Sequence, residues 1–327
     1  MLADMLERLF DAHLDDAALA RAAQGEWLGA AWDEIAANGL PLALLSEDRG
    51  GFGLSAAETG EVLRLLGRRA VPLPVAETMA ANRLLAAAGL PLAEGAAGLA
   101  EGGTIAGGRL TGTASRVAWA DKLECLALSV GGRLYRVPRA GWTIAEAEHA
   151  LTGEPRETIT FDWAADEGAP LAHDLLAEGA AIRAFQIAGA LEAALDLTLA
   201  HTSTRVQFGK PLAKFQAVQH ELAKLAGELA CATAAADLAG EALARGDLAG
   251  VAAGSLRARE AAGNGASIAT QMHGAIGFTR EYPLHRHTTA LWTWRDEFGG
   301  QVHWARLLGK AALAAGADGY WPMVTSL

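Results

Sequence analysis

Toward both ends of the chain apolar residues recur at helical spacing, and in the middle they fall into short strand-like runs. The clearest stripe is Ile187, Leu191, Leu195 and Leu199, four residues apart and so on one side of a helix. Val218, Leu222, Leu225 and Leu229 repeat it. Gly209 and Pro211 lie between the two stripes, where they break one helix and start the next. Further stripes toward the C-terminus extend the pattern to about four antiparallel helices joined by short loops, a bundle. The N-terminal block is rich in alanine and leucine and poor in β-branched residues, which favours a second helical unit.

From about Glu101 to Trp163 threonine, valine and aromatics stand between glycines: TIAGGRLTGTASRVAW, LECLALSV, RLYRVP, WTIAEAE and ETITFDW. These runs predict short antiparallel strands, with Gly131 and Gly132 as a two-residue hairpin turn. An Ala/Gly-rich stretch from Gly95 to Gly103 marks a domain boundary. The expected fold class is α+β, mainly α. A helical domain over 1–98 precedes a small antiparallel β domain over 99–168, and a C-terminal antiparallel four-helix bundle occupies 169–327.

Composition narrows the function. With 327 residues, 51% of them hydrophobic, the chain buries a sizeable core. Lys+Arg number 27 against 38 Asp+Glu, a net charge of −11, which opposes the long-range attraction of a nucleic-acid binder. A phosphate-bearing small ligand is still compatible, because a few arginines and helix N-termini bind one locally. Two cysteines, Cys125 and Cys231, form no disulfide framework and point to a reducing compartment. MLADMLERLF lacks a basic segment followed by an apolar block, and no apolar run reaches membrane-spanning length. The expected location is the cytoplasm.

Candidate chemistry lies in two stretches. One runs Arg205-Val206-Gln207-Phe208-Gly209-Lys210-Pro211-Leu212 and continues Phe215-Gln216-Ala217-Val218-Gln219-His220. Read plainly, it is a connection between helices in which Arg205 caps a C-terminus. That leaves the order of Arg, Phe, Gly-Lys-Pro and Phe-Gln unexplained. The other stretch is Gln271-Met272-His273-Gly274-Ala275-Ile276-Gly277-Phe278-Thr279, followed by Arg280-Glu281-Tyr282-Pro283-Leu284. Together they resemble the flavin-contacting segments of the acyl-CoA dehydrogenase family, with Ala275 where a second glycine is usual. A third stretch, Asn38-Gly39-Leu40 and Leu45-Ser46-Glu47-Asp48-Arg49-Gly50-Gly51-Phe52-Gly53, is similar to an interhelical turn of that family, with Ser46 at a proline position.

The resemblance implies FAD as cofactor and an acyl-CoA as substrate, with electrons passed to an electron-transfer flavoprotein. It implies cofactor-binding roles for Arg205, Gln207, Phe208, Gln216, Gln271 and Gly274, some of them across an interface between subunits, and therefore a homo- or hetero-oligomer held by C-terminal helices. It also implies a carboxylate base that removes the substrate α-proton, and Glu297 in Arg295-Asp296-Glu297-Phe298-Gly299-Gly300 is the acid nearest that position, with Asp296 second. The family's Thr-Glu-Pro-x-x-Gly-Ser-Asp segment is absent from the middle of this chain, and the spacing of Thr111, Thr113 and Ser115 assigns none of them to a flavin. No metal site is expected: His285 and His287 are two apart and do not share a helix face, and His303 beside them adds no motif. Trp292, Trp294 and Trp304 read as core or subunit-contact residues. Three functions remain open. The chain is an FAD-dependent acyl-CoA dehydrogenase, or a catalytically incomplete dehydrogenase-like subunit whose partner chain completes the site, or a cofactor-free helical interaction protein.

Overall fold

The computed structural model describes residues 2–165, 168–171 and 173–325. Helices α1 (Leu2–His13), α2 (Asp16–Ala22), α3 (Gly29–Ala37), α4 (Ala56–Arg68) and α5 (Val75–Ala87) come first. Strands β1 (Ala97–Glu101), β2 (Thr104–Ala106), β3 (Arg109–Ala118), β4 (Cys125–Val130), β5 (Arg133–Pro138), β6 (Trp142–Glu146), β7 (Arg156–Ala164) and β8 (Ala169–Pro170) follow. Then come α6 (Leu175–Thr204), the two short strands β9 (Val206–Gln207) and β10 (Lys210–Pro211), α7 (Gln216–Arg245), α8 (Leu248–His273), α9 (Leu284–Trp294) and α10 (Gly300–Thr325). The protein is mostly helical with small, largely antiparallel sheets, as its sequence pattern predicts. It divides into two compact units, Met1–Thr59 with Val71–Gly179, and Gly60–Ala70 with Ala180–Leu327.

Local chemistry sets the helix ends. Asp15 caps α2 through its side chain, accepting the Ala18 amide at 2.7 Å. Ser55 and Glu58 form a reciprocal capping box ahead of α4. Asp247 accepts the Ala249 and Gly250 amides at 3.0 and 3.1 Å to start α8.

In the first unit one sheet has the order β1-β4-β5-β8 and another β2-β3-β7-β6. Gly131 and Gly132, both at positive φ, join β4 to β5 in the predicted hairpin. One strand departs from the antiparallel expectation. β1 pairs parallel with β4, and it occupies the Ala/Gly stretch whose composition reads as a boundary. Small residues suit a strand there because a β-carbon on Gly98 would stand 2.6 Å from Leu123. The buried Thr78 hydroxyl bonds both the amide and the carbonyl of Ala97, tying β1 to α5. The 45–53 segment is a glycine turn in which a β-carbon on Gly51 would lie 2.1 Å from the Leu45 carbonyl. Arg49 adds a bond to the Ala86 carbonyl at the end of α5.

The second unit is built from long helices packed through small residues. A β-carbon on Gly254 of α8 would lie 2.4 Å from the Ala235 carbonyl of α7, and one on Gly265 would lie 2.3 Å from Leu191 of α6. The sequence stripe on α6 holds for only half its length: Ile187 and Leu191 are buried, Leu195 is half-buried, and Leu199 is 42% exposed. Steps of four residues rotate about 40° each around a helix of 3.6 residues per turn, so the stripe turns outward. Ala194, Thr198 and Thr202 carry the buried face onward.

Candidate functional site

The end of α6 leads directly into the first motif. The Arg205 amide donates to the His201 carbonyl at 2.9 Å, and the Leu212 amide donates to the Arg205 carbonyl at 2.9 Å, closing a small hairpin of β9 and β10. Phe208, at its tip, has φ +50 and is 92% exposed. Phe215 packs below it, edge-on to Phe208 at 6.3 Å between centroids and under the Lys210 ammonium at 4.3 Å. Gln216 is the first residue of α7, where unpaired amides and the helix dipole give positive potential. Arg205, Gln207, Phe208 and Gln216 are all exposed on this unit.

The second motif ends α8. Gln271 and Gly274 are exposed, and the Gly274 amide closes back on the carbonyls of Gln271 and Thr270 with φ +67. Ala275 stands in a short 3-10 turn without positive φ, so its β-carbon costs no strain. Gly277 packs against His273, where a β-carbon would lie 2.9 Å from that of the histidine.

Three rings, which motif reading does not reveal as a group, join these segments. His201 of α6 stacks on His273 of α8 with centroids 4.4 Å apart and planes at 23°. Tyr282 stands against both, 4.9 Å from His273 and 5.9 Å from His201. The Tyr282 hydroxyl donates to the Leu197 carbonyl at 3.5 Å, and His273 Nδ1 donates to the Ala269 carbonyl at 2.8 Å. Burial, with His273 and then Arg205 nearby, lowers the pKa of His201, and burial lowers that of His273. The structure thus brings the Arg205 end of α6 and the Gln271–Gly274 turn together in one unit.

Glu297 belongs to another constellation. It is buried, and its Oε2 accepts from Nε of Arg183 at 2.8 Å and from Nη2 at 2.7 Å. Arg183 also donates to Gln186 and lies over the rings of Trp294 and Phe298. A second buried arginine, Arg259, donates to the carbonyls of Trp294 and Arg295 at the negative end of α9 and to that of Phe298 beyond it. Burial pulls its pKa down to about 10. Phe298, at φ +48, also receives the Trp304 indole N–H on its carbonyl at 2.9 Å. Trp294 and Trp304 are core residues, as read, and Asp296 is exposed. The signal for Arg183 is a lone cation inside the apolar run AAIRAFQIAG. In the first unit Glu178 is fully buried; its Oε1 accepts from Arg83 Nε at 2.7 Å and its Oε2 has no hydrogen-bond partner. Among the described residues no three His, Cys, Asp or Glu side chains group as metal ligands, and no helix is long and apolar enough to cross a membrane.

The family description "Acyl-CoA dehydrogenase, C-terminal domain" matches residues 166–293, which hold five of the six motif positions inside α6 to α8 and their connections, and Gly274 just beyond α8. The chain is 32% identical over 244 residues to "Acyl-CoA dehydrogenase IpdE2" of Mycobacterium tuberculosis (strain ATCC 25618 / H37Rv), covering 74% of this chain and 73% of that one. It belongs to the acyl-CoA dehydrogenase family. "Acyl-CoA dehydrogenase FadE28" of the same organism is 27% identical over 324 residues, covering 85% of this chain and 91% of the relative. The solved structure "Tcur3481-Tcur3483 steroid ACAD G363A variant" superposes with a TM-score of 0.85 at 25% identity, over 97% of this chain and 98% of that one. The "ChsE4-ChsE5 complex from Mycobacterium tuberculosis" shares the fold, with a TM-score of 0.81 at 22% identity over 96% of both chains. As a family member the protein is an acyl-CoA dehydrogenase, an oxidoreductase of a flavoprotein family.

Proposed function

We propose that this chain takes part in FAD-dependent oxidation of an acyl-CoA thioester to the 2-enoyl-CoA, with the electrons passed on to an electron-transfer flavoprotein. The observation that carries this reading is the joining of Arg205 and the Gln271–Gly274 turn within one helical unit. The donor set fits a dinucleotide pyrophosphate: a guanidinium, side-chain amides, and the exposed amides at the start of α7. Arg205, Gln216, Gln271 and Gly274 would hold that group, with Gln207 and Phe208 beside it on the hairpin. Bound there, FAD supplies the hydride acceptor for the β-carbon. The motif side chains all lie exposed on a single chain, which supports a site completed across an interface between subunits.

Removing the α-proton needs a carboxylate. Glu297 is the candidate from sequence, and in that role it must first release its Oε2 from Arg183, since a guanidinium bound to a carboxylate stabilises the deprotonated form and weakens it as a base. That pairing favours the second reading. In it the chain is one member of a hetero-oligomer, and a partner dehydrogenase-like chain brings the base. The absent middle motif supports the same division of labour.

The test is optical. The purified chain, alone and with any chain that co-purifies, is loaded with FAD and titrated with straight-chain and steroid-side-chain acyl-CoAs, the latter suggested by the "steroid ACAD" neighbour. Arg205→Ala should lose flavin. Glu297→Gln should keep flavin and abolish its bleaching if the chain is self-sufficient, and should leave bleaching intact if the partner supplies the base. A wild-type preparation that never retains FAD overturns the proposal.

A further inference from the structure

Both motif segments that face the pyrophosphate in the proposed reading are surface loops, and on their own such loops drift. Arg205 follows α6 by one residue, and the Gln271–Gly274 turn ends α8. Backbone bonds fix each segment to its own helix, but they do not set the distance between the two helices at this end. The only ring contacts among the described residues that join α6 to α8 are those of His201 with His273, and Tyr282 closes over both. His201 is the residue whose carbonyl receives the Arg205 amide, and His273 lies between Gln271 and Gly274. The rings therefore sit directly behind the groups that would meet the ligand.

We propose that His201, His273 and Tyr282 form an aromatic staple whose work is to hold Arg205 at a fixed spacing from the Gln271–Gly274 turn, so that one pyrophosphate meets both. These are positioning residues, since they act through Arg205 and the turn. The inference rests on the FAD reading above. Neutral rings are required, because two imidazolium ions 4.4 Å apart repel. Burial keeps both imidazoles below their ordinary range, in agreement with that requirement. The Nδ1–H of His273 bonds the Ala269 carbonyl one turn back on its own helix, and the ring face meets His201 by stacking alone. Gly277 has no β-carbon at the one place where it would push His273 out of line.

The role of the staple depends on ring shape and not on the imidazole nitrogens. His273→Phe should therefore keep FAD affinity within about twofold of wild type, and His273→Ala should weaken it by about three- to tenfold, the measure of a lost aromatic pair. The measurement is FAD titration of the full chain, with any co-purifying chain present, by quenching of flavin fluorescence, alongside the melting temperature of each apoprotein. A drop in affinity with Ala and its rescue by Phe, at apoprotein melting temperatures within a few degrees of one another, supports the staple. Wild-type affinity in His273→Ala overturns it, as does equal loss in Ala and Phe. His201→Ala and His201→Phe, measured in the same way, must follow the same order. Failure of the wild type to bind FAD at all sinks the FAD reading and the staple with it, whereas a wild type that binds and an Ala variant that binds equally well sinks the staple alone.

Discussion

Glu297 and its partners show how burial changes what a residue does. Two guanidinium groups, of Arg183 and Arg259, share the interior with one buried carboxylate, and the two Nη groups of Arg259 donate to carbonyls at and just beyond the end of α9 while its Nε has no hydrogen-bond partner. Replacing Arg183 with methionine breaks the buried ion pair to the Glu297 carboxylate, and such a break costs about 3–5 kcal/mol. Chemical denaturation should show it; an effect under about 1 kcal/mol would mean that Glu297 relaxes to solvent. His287 gives a prediction in pH. It is buried in α9 with Nδ1 unbonded, and burial, with Arg286, His285 and Arg68 near it, holds its pKa at about 4. The ordinary value is about 6.5. Between those values the unfolded chain binds a proton that the folded chain does not. Stability is thus fully present above about pH 6.5, falls as the pH drops toward 4, and levels off below, a loss of up to ~3 kcal/mol. Urea midpoints measured across that range should carry the slope, and His287→Leu should reduce it, leaving the smaller part that His201 and His273 contribute.

Helix pairs in the second unit approach through glycine. A β-carbon on Gly189 of α6 would lie 1.9 Å from the Arg64 carbonyl of α4, and one on Gly67 would lie 2.0 Å from the Gln186 carbonyl of α6. Two opposing effects meet in Gly189→Ala. Alanine gains about 1 kcal/mol of helix propensity over glycine, and overpacking costs about 1–3 kcal/mol. Backbone lies against the new methyl group, so the steric term wins and the variant melts lower than wild type. Gly227→Ala on α7 is the control, since nothing stands within 4 Å of its added carbon. It should raise the melting temperature by the propensity term alone. Equal shifts of the same sign in both variants would refute the close-packed arrangement of α4 and α6.

At the scale of the molecule, much apolar surface lies on the last helix. Leu313 is 85% exposed and Val302 is exposed before the kink at Gly316, and Trp321 is 68% exposed after it. Only Leu225 is buried along the first half of α7. Surfaces of this kind bury themselves in stable assemblies. Light scattering at micromolar concentration should return a mass of at least two chains. A monomer would contradict both an interface on these helices and a cofactor site shared between subunits. A mass made up of two unlike chains would favour the reading in which a partner brings the base.

The order of helices, strands and helices, the glycine hairpin between β4 and β5, and the two motif segments are all legible along the chain, because periodicity and turn chemistry act over a few residues. Composition alone does not reveal β1, which is a strand because it pairs parallel with β4, and whose Gly98 fits there because Leu123 and Leu126 leave no room for a β-carbon. Nor does a four-residue stripe show where α6 turns its buried face from leucine to threonine. Arg183 meets Glu297 across 114 positions of sequence, and no spacing rule reaches that far. The stacking of His201 on His273 has the same origin: two helix ends meet, and what each imidazole does is decided by the ring it finds there. Sequence set which residues carry charge, ring or turn. Tertiary structure decided which of them are buried together, and burial is what makes a carboxylate an ion-pair partner and a histidine a neutral ring.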